Sequence, residues 1–220
     1  MELLNVIRAR VIWLLYIQDI NPHGKNINVY IIDWLKDKYK FLKCPSSIYE
    51  RNEGGALVFS DGTFKGQDGS VISVDLAIYN DGFIADTRSS TKDTELFIED
   101  ALYSLIKDFG LVYKPEMLRK KLYVSELTLR TDRQLNNINP RMQAFVHKIT
   151  SMIGTDDSGL MELSSLSFWW DFRSSNGQSP FQFERTADIP FSERRYYSRA
   201  PLHTEDHLSL LNEFEDLLLG

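Results

Sequence analysis

Residues 72–110 read ISVDLAIYNDGFIADTRSSTKDTELFIEDALYSLIKDFG and contain the clearest periodic pattern in this chain. Apolar side chains alternate with polar or small ones from Ile72 to Ile78, which predicts a strand with one buried face. Asn80-Asp81-Gly82 predicts a hairpin turn, because Asn and Gly tolerate the positive φ that tight turns require. The return strand is expected over Phe83–Thr87.

A helix is predicted directly after this hairpin. The hydroxyls of Ser89-Ser90-Thr91 are suited to capping its N-terminus, and Gly110 is suited to ending it. Its apolar stripe comprises Ile98, Ala101, Leu102, Leu105 and Phe109. Residues 72–110 therefore predict strand, hairpin and helix in that order.

Two helices are predicted before this unit. Leu3–Gln18 is apolar on most sides, which favours a helix buried on more than one face. Val29–Leu42 predicts a second helix that ends before Pro45, with Ile31, Ile32, Leu35, Tyr39 and Leu42 facing inward. From Ala56 the period becomes two, and short strands are expected between turns at Ser60-Asp61-Gly62 and Gln67-Asp68-Gly69.

Strands and helices also alternate after residue 115. The expected order is strand Leu122–Arg130, loop Leu135–Pro140, helix Pro140–Ile153, turn Thr155–Gly159, strand Leu160–Arg173, loop Ser174–Pro180, strand Phe181–Thr186 and helix Glu205–Leu219. The helix after Pro140 is expected to carry Phe145, Ile149 and Met152 on one side. The long strand is expected to carry Leu166, Phe168, Trp170 and Phe172 on one face, and the last helix to turn Leu208, Leu211, Phe214 and Leu218 inward.

Together these elements predict an α+β fold, a mostly antiparallel β-sheet flanked by about five helices. We expect a single compact domain over residues 1–220, with a helical part at 1–44, a sheet-rich part at 56–199 and a C-terminal helix at 204–219. The 43% hydrophobic content of the 220 residues is ample for a continuous core.

Composition also indicates a compartment. No apolar run approaches the roughly 20 residues that a bilayer span requires, and no secretory signal is recognisable, so we expect a soluble protein with no membrane partner. Cys44 is the single cysteine, which excludes an internal disulfide and fits a reducing cytoplasm.

The net charge of −6 is unevenly distributed. Residues 49–108 carry twelve acidic and five basic side chains, whereas residues 114–148 carry eight basic and three acidic ones. If the basic blocks meet on one face, they favour a polyanion or an acidic partner. The alternative is that opposite blocks neutralise each other within the fold or across a homo-oligomer.

Residues 181–203, FQFERTADIPFSERRYYSRAPLH, combine five aromatic side chains with four arginines. Such a composition is typical of recognition surfaces, because both residue types offer large contact areas and arginine adds donors for carboxylate or phosphate. The candidate partner-binding residues are Arg185, Arg194, Arg195, Tyr196, Tyr197 and Arg199, and the same face is extended if Arg119, Lys120, Lys121, Arg130, Arg133 and Arg141 lie beside them. Three interpretations remain open: a buried, internally paired segment, a protein interface, or a nucleic-acid interface.

Catalytic chemistry is less well supported. Asp75 and Asp86 lie on adjacent predicted strands, where paired carboxylates suit divalent-metal hydrolysis of phosphodiesters, with Glu99, Glu126 or Lys121 as helpers. His203 and His207 are spaced as a helical metal pair, but Thr204 is the natural N-cap and places His203 outside the helix. Neither a nucleophile elbow nor a phosphate-binding glycine loop appears, and no cofactor is expected.

The sequence therefore favours a non-catalytic interaction protein, a subunit or adaptor of a larger cytosolic assembly. It is expected to bind a protein partner, or a second copy of itself, through residues 181–203 and the C-terminal helix. The alternatives are a metal-dependent phosphodiester hydrolase using Asp75 and Asp86, and a nucleic-acid-binding module using the arginine and tyrosine segment.

Overall fold

The structure, a computed structural model, describes residues 1–24, 28–133, 135–153, 161–171, 173 and 177–218. Within these ranges, eight antiparallel strands form a single sheet in the order β2-β3-β4-β1-β5-β8-β7-β6. The strands are β1 Glu2–Leu14, β2 Leu57–Lys65, β3 Val71–Tyr79, β4 Gly82–Thr87, β5 Lys120–Arg130, β6 Ser165–Phe168, β7 Phe181–Arg185 and β8 Arg195–Ala200. The α-helices are α1 Asn28–Tyr39, α2 Thr91–Phe109, α3 Pro140–Ile153 and α4 Thr204–Leu217. The predicted α+β class with an antiparallel sheet is confirmed, with four described α-helices in place of about five.

The first predicted helix is wrong, because Leu3–Gln18 contributes the central strand β1. Along this strand Ala9, Val11 and Trp13 are buried, whereas the residues between them are only half-buried. The alternation is hard to see in the sequence because the half-buried positions Ile12 and Leu14 are also apolar, so the run has the composition of a buried helix.

The strand, hairpin and helix of residues 72–110 are confirmed. Strand β3 pairs with β4 antiparallel, and the apolar side chains at alternate positions of β3 are buried. Ser90 caps α2 by accepting the backbone N–H of Asp93, and Gly110 ends the helix in the left-handed conformation at φ 61°.

The reason given for the hairpin turn needs correction. The positive φ angles of the chain lie elsewhere, at Asp61 and Gly69 for example, and Asn80, Asp81 and Gly82 have none. A Cβ atom at Gly82 would instead stand 2.1 Å from the carbonyl oxygen of Trp13 on the neighbouring strand β1. Glycine is therefore required here by close approach of two backbones.

Two local predictions near β2 are also wrong. Ser60-Asp61-Gly62 is a bulge inside β2, where the register with β3 shifts, because Asp61 adopts a φ of 58°. Leu42 is 80% exposed, since α1 ends at Tyr39 and the chain then leaves the helix axis. The predicted turn at Gln67-Asp68-Gly69 is confirmed by the hydrogen bond from Gly66 N to Ser70 O, 2.8 Å.

In the last third, β5, α3, β7 and α4 are confirmed to within a few residues of their predicted bounds. Strand β6 has only four residues, and β8 was not predicted. The expectations for Thr155–Gly159, Leu160, Phe172, Ser174–Asn176 and Leu219 lie outside the described residues.

The chain divides into two compact units, and β1 and β5 contribute residues to both. The larger unit comprises Arg8–Ser125 and Leu202–Thr204, and the smaller unit comprises Met1–Ile7, Glu126–Pro201 and Glu205–Gly220. The prediction of one domain stays a prediction. No described helix is both long enough and apolar enough to cross a bilayer.

The core of the larger unit packs α1 and α2 against side chains of β2, β3 and β4. Polar contacts reinforce the packing of the two helices: Tyr39 Oη donates to Asp100 at 2.6 Å, and Lys38 Nζ lies 2.9 Å from the same carboxylate. Burial and the Asp100 carboxylate raise the pKa of Tyr39.

The core of the smaller unit is built around Phe183 on β7 and Tyr196 on β8. Leu127 and Leu129 of β5, Leu135, and Leu211 of α4 complete the buried cluster. Each unit thus has a hydrophobic core of its own.

Candidate interaction site

Residues 181–203 form β7, β8 and the short 3-10 turn Phe191–Glu193 that connects them. Tyr196 is only 1% exposed and stacks on Phe183, with ring centroids 4.9 Å apart and ring planes at 19°. Burial raises the pKa of Tyr196. This tyrosine belongs to the core of the smaller unit and offers no accessible surface to a partner.

Arg185 is buried in the same unit. Its Nη1 lies 2.7 Å from Glu162 Oε2, and both side chains are less than one-tenth exposed. The guanidinium also stacks over the ring of Phe191, 4.0 Å from the centroid, and donates to Tyr196 Oη at 3.1 Å. The guanidinium is held by a carboxylate, a hydroxyl and an aromatic face, and removing one of these would leave a buried charge unpaired. Arg185 therefore stabilises the fold and is not available to a partner.

Arg199 and Tyr197 are half-buried on β8. Arg199 Nε lies 3.5 Å from the buried carboxylate of Glu126, which is 6% exposed. Arg199 therefore neutralises a carboxylate of the smaller unit.

Arg194 and Arg195 are the accessible members of the segment, at 40% and 47% side-chain exposure. They line an open groove of about 780 Å³ together with Arg130, Arg133, Glu2, Asp132, Glu193, Glu215 and Asp216. Arg195 Nε lies 3.1 Å from Glu193, and Arg194 lies 3.7 Å from Asp132. The groove contains charges of both signs, so it carries no strong positive potential.

The basic residues proposed to extend this face separate into two groups. Arg130 and Arg133 line the groove, and Arg130 Nη2 lies 2.6 Å from Glu2. Arg141 is exposed on α3 of the same unit. Arg119, Lys120 and Lys121 belong to the larger unit, where Lys121 pairs with Glu95.

Asp75 and Asp86 are direct cross-strand partners, as the sequence predicted for adjacent antiparallel strands. Arg10 binds Asp86 in bidentate fashion, with Nε–Oδ1 and Nη2–Oδ2 distances of 2.7 Å. Asp75 Oδ1 accepts the backbone N–H of Asp61 at 2.8 Å. The guanidinium of Arg10 thus occupies the place beside Asp86 that a hydrolytic metal would need.

The two histidines have different environments, each within its own unit. His203 stacks on Tyr123, with centroids 3.7 Å apart, and its Nδ1 lies 3.4 Å from Thr91 Oγ1. His207 is fully buried, with Nε2 2.9 Å from Ser198 Oγ. Throughout the described ranges, no group of three or more His, Cys, Asp or Glu is arranged to hold a metal ion.

The start of α4 is fixed by a reciprocal pair of hydrogen bonds. Thr91 N donates to Thr204 Oγ1 at 3.0 Å, and Thr204 N donates to Thr91 Oγ1 at 2.9 Å. Thr204 is the first residue of α4, and its hydroxyl accepts the backbone N–H of Thr91, the first residue of α2, instead of the N-cap bond within its own helix that the sequence predicted.

An exposed aromatic surface on β6 was missed by sequence reasoning. Strand β6 pairs with β7 and is the last strand in the sheet order. Phe168 is the last residue of this strand and Trp169 and Trp170 follow it; the three side chains are 61%, 74% and 48% exposed. We call these three side chains the β6 aromatic edge. The available signal was a run without charge, LSSLSFWW at residues 163–170, in a chain that is 25% charged.

Two helices of the smaller unit also expose apolar side chains. On α3, Phe145 is 57% and Met152 77% exposed, although the sequence placed them on one apolar side. On α4, Leu210 and Leu217 are 39% and 70% exposed, while Leu211 and Leu218 are buried as predicted. Large exposed apolar side chains are thus concentrated in this unit beyond the segment 181–203.

Comparison with known proteins identifies no family. The chain matches no protein-family model, and no curated protein matches it. Among solved structures it is similar to one described as Methanococcus jannaschii TBP, at 14% sequence identity and a TM-score of 0.43, over 99% of this chain and 97% of that one.

Proposed function

We propose that this chain is a non-catalytic interaction protein that binds an extended segment of another polypeptide along strand β6. The observation that supports the proposal is the contrast between the two edges of the sheet. Edge strands expose unpaired backbone N–H and C=O groups, and proteins normally protect them with bulges, charges or covering segments.

The β2 edge carries all three forms of protection. A bulge interrupts it at Asp61, the backbone of Lys43 pairs with Ser60 across it, and Lys43 and Asp61 form an ion pair of 2.8 Å. Addition of another strand there would break these contacts.

The β6 edge has none of these three within the described residues, and its protection is its short length of four residues. Residues 163–170 contain neither charge nor proline, and no described strand pairs with the outer side of β6. Strand addition would pair the outer backbone N–H and C=O groups of β6, and the β6 aromatic edge would supply the apolar contacts that fix the partner. Aromatic side chains of this type dominate the energetics of protein interfaces.

Backbone pairing with the four residues of β6 is not enough to hold a partner. A stable interface usually buries roughly 800 Å² on each side, more than one short strand supplies. We therefore expect the partner to cover Trp169 and Trp170 with apolar side chains of its own. An uncharged, apolar extended segment fits this surface better than an acidic or basic one.

The experiment starts from the full chain purified from its native cells with what binds it. The partner is identified by mass spectrometry, and its affinity for the recombinant chain is measured with both components pure. Trp169→Ala combined with Trp170→Ala should weaken binding by at least about ten-fold, the scale of one interface hot spot. Ser167→Lys should act similarly, because a lysine on an edge opposes strand addition.

Tyr49→Ala is the matched control, since Tyr49 is an exposed aromatic of the larger unit, 88% exposed. It should leave affinity unchanged. The proposal is wrong if the edge variants bind as tightly as the parent chain, or if only Arg194→Ala with Arg195→Ala weakens binding. A chain that remains monomeric and captures no partner also contradicts the proposal. If the partner is a second copy of the chain, sedimentation should show a dimer that the edge variants dissociate.

A further inference from the structure

The larger unit contains a cavity of about 490 Å³ that no feature discussed above uses. Its walls are aliphatic and aromatic side chains from the sheet, from α1 and α2, and from the 3-10 turn Ile17–Ile20. Phe59, Ile78, Phe83 and Leu105 form its inner wall, and each of them is at most 9% exposed. The cavity is therefore a concavity of the hydrophobic core itself.

The entrance of this cavity differs in chemistry from its wall. Gln18, Asn21, Tyr79 and Asn80 contribute polar groups, and Arg51 contributes the one charge among the described lining residues. Arg51 is exposed, and its Nη1 donates to the carbonyl of Gly55 at 2.5 Å. Among the described lining residues there is no carboxylate to neutralise this guanidinium.

An apolar wall below a single guanidinium defines the ligand chemistry. The volume lies within the range of about 300–1,000 Å³ that small-molecule sites occupy. A planar guanidinium binds a carboxylate through two parallel hydrogen bonds, while the wall removes an alkyl chain from water. We infer that this cavity binds an aliphatic monocarboxylate, with its alkyl chain against Ile78 and Leu105 and its carboxylate at Arg51.

This inference is independent of the proposed function, because the cavity and β6 belong to different units. It is tested by calorimetric titration of the full chain with decanoate below its micelle concentration, with decanol as the uncharged probe of equal chain length. We expect saturable binding of one decanoate per chain and about ten-fold weaker binding of decanol, as expected for loss of a charge-assisted hydrogen-bonded pair.

Two variants separate the contributions of head group and tail. Arg51→Gln should bring decanoate binding down to the level of decanol. Ile48→Trp should block both ligands, because Ile48 lines the cavity from an irregular segment that can accept a larger side chain. Arg88→Gln, an exposed arginine of the same unit outside the cavity, is the matched control and should bind like the parent chain.

A second readout keeps the test valid if Ile48→Trp does not fold. Methyl resonances of Ile78 and Leu105 should shift on addition of decanoate, whereas those of the exposed Val71 should not. The inference is wrong if the parent chain shows no saturable binding, if Arg51→Gln and Arg88→Gln bind decanoate equally, or if the shifted methyl groups lie outside the cavity.

Discussion

His207 shows how one buried side chain makes stability depend on pH. Ser198 Oγ uses its proton to donate to the carbonyl of Gln182 at 2.9 Å, so the 2.9 Å contact with His207 requires the imidazole to donate from Nε2. Nδ1 then carries the lone pair, and it has no hydrogen-bond partner among the described residues. Burial lowers the pKa of His207 from 6.5 to about 4.

The sign of the resulting pH dependence follows from this depressed pKa. Well above pH 6.5 the imidazole is neutral in both the folded and the unfolded chain. As pH falls from 6.5 toward 4, the unfolded chain binds a proton at His207 that the folded chain does not bind, so the free energy of unfolding decreases. Between about pH 7 and pH 5 the expected loss is about 2 kcal/mol.

Urea unfolding at the two pH values measures this loss. His207→Gln should remove most of the pH dependence, because glutamine does not titrate. His23→Gln, an exposed histidine, is the control and should leave the pH dependence as in the parent chain. Equal pH dependence in the parent chain and in His207→Gln would contradict the assignment.

Asp86 is expected to act in stability rather than in catalysis. Its bidentate pair with Arg10 is only about one-quarter exposed, at 27% for Arg10 and 21% for Asp86. A double-mutant cycle with Arg10→Gln and Asp86→Asn should give a coupling energy of about 1 kcal/mol, measured by denaturant unfolding. The more exposed pair Lys43–Asp61 serves as the comparison and should couple more weakly.

A hydrolase that uses Asp86 would behave differently in the same cycle. Magnesium would stabilise the parent chain, and Asp86→Asn would abolish that stabilisation. We expect the unfolding midpoint of both chains to be independent of added magnesium.

Among the secondary-structure elements, the β3–β4 hairpin has a position, Gly82, at which the structure requires glycine. Gly82→Ala should reduce the free energy of unfolding by more than about 2 kcal/mol, because its Cβ would meet the carbonyl oxygen of Trp13 at 2.1 Å. Backbone atoms of a central strand cannot move aside as a flexible side chain can.

Gly54→Ala is the matched control. The atom nearest to a Cβ at Gly54 is Asn52 Oδ1 at 3.4 Å, an ordinary contact. Its expected effect on the free energy of unfolding is within about 0.5 kcal/mol. A similar loss in the two variants, measured by thermal and denaturant unfolding, would show that the close approach at Gly82 is not the cause.

Elements with local signals were predictable, and elements defined by their neighbours were not. Strand β3, its hairpin and α2 follow from alternation, turn residues and caps within 39 residues of continuous sequence. Strand β1 was read as a helix because its alternating burial is hidden in the sequence by apolar residues, such as Ile12 and Leu14, at the half-buried positions. Strand β8 does alternate, with Tyr196, Ser198 and Ala200 buried, but its arginines were read as a surface.

The candidate interaction site could not be predicted from the sequence for a related reason. Whether an arginine is free or paired depends on which carboxylate the fold brings beside it. Glu162 is 23 positions from Arg185 along the chain, and nothing in either local sequence indicates the contact. The β6 aromatic edge could be recognised only once the strand order showed that β6 is an edge.

At the scale of the whole chain, electrostatics disfavours nucleic acid as the partner. The net charge is −6, and each of the four arginines in residues 181–203 lies within 4 Å of a carboxylate. A phosphate backbone would have to compete with these internal partners, and counterion release from free basic side chains supplies most non-specific affinity. The positive charge that sequence composition suggested is largely neutralised within the smaller unit.

We therefore expect no saturable binding of a labelled DNA duplex or single-stranded RNA at about 0.15 M salt, measured by fluorescence anisotropy. At low salt, Asp132→Asn combined with Glu193→Gln should raise the affinity for nucleic acid, because Arg194 and Arg195 would then be available to phosphate. The slope of log affinity against log salt concentration should become steeper by about one for each arginine released. Tight binding by the parent chain that Arg194→Ala with Arg195→Ala weakens would contradict this expectation. That outcome would make the groove, rather than β6, the principal binding surface, because only free guanidinium groups in the groove could produce it.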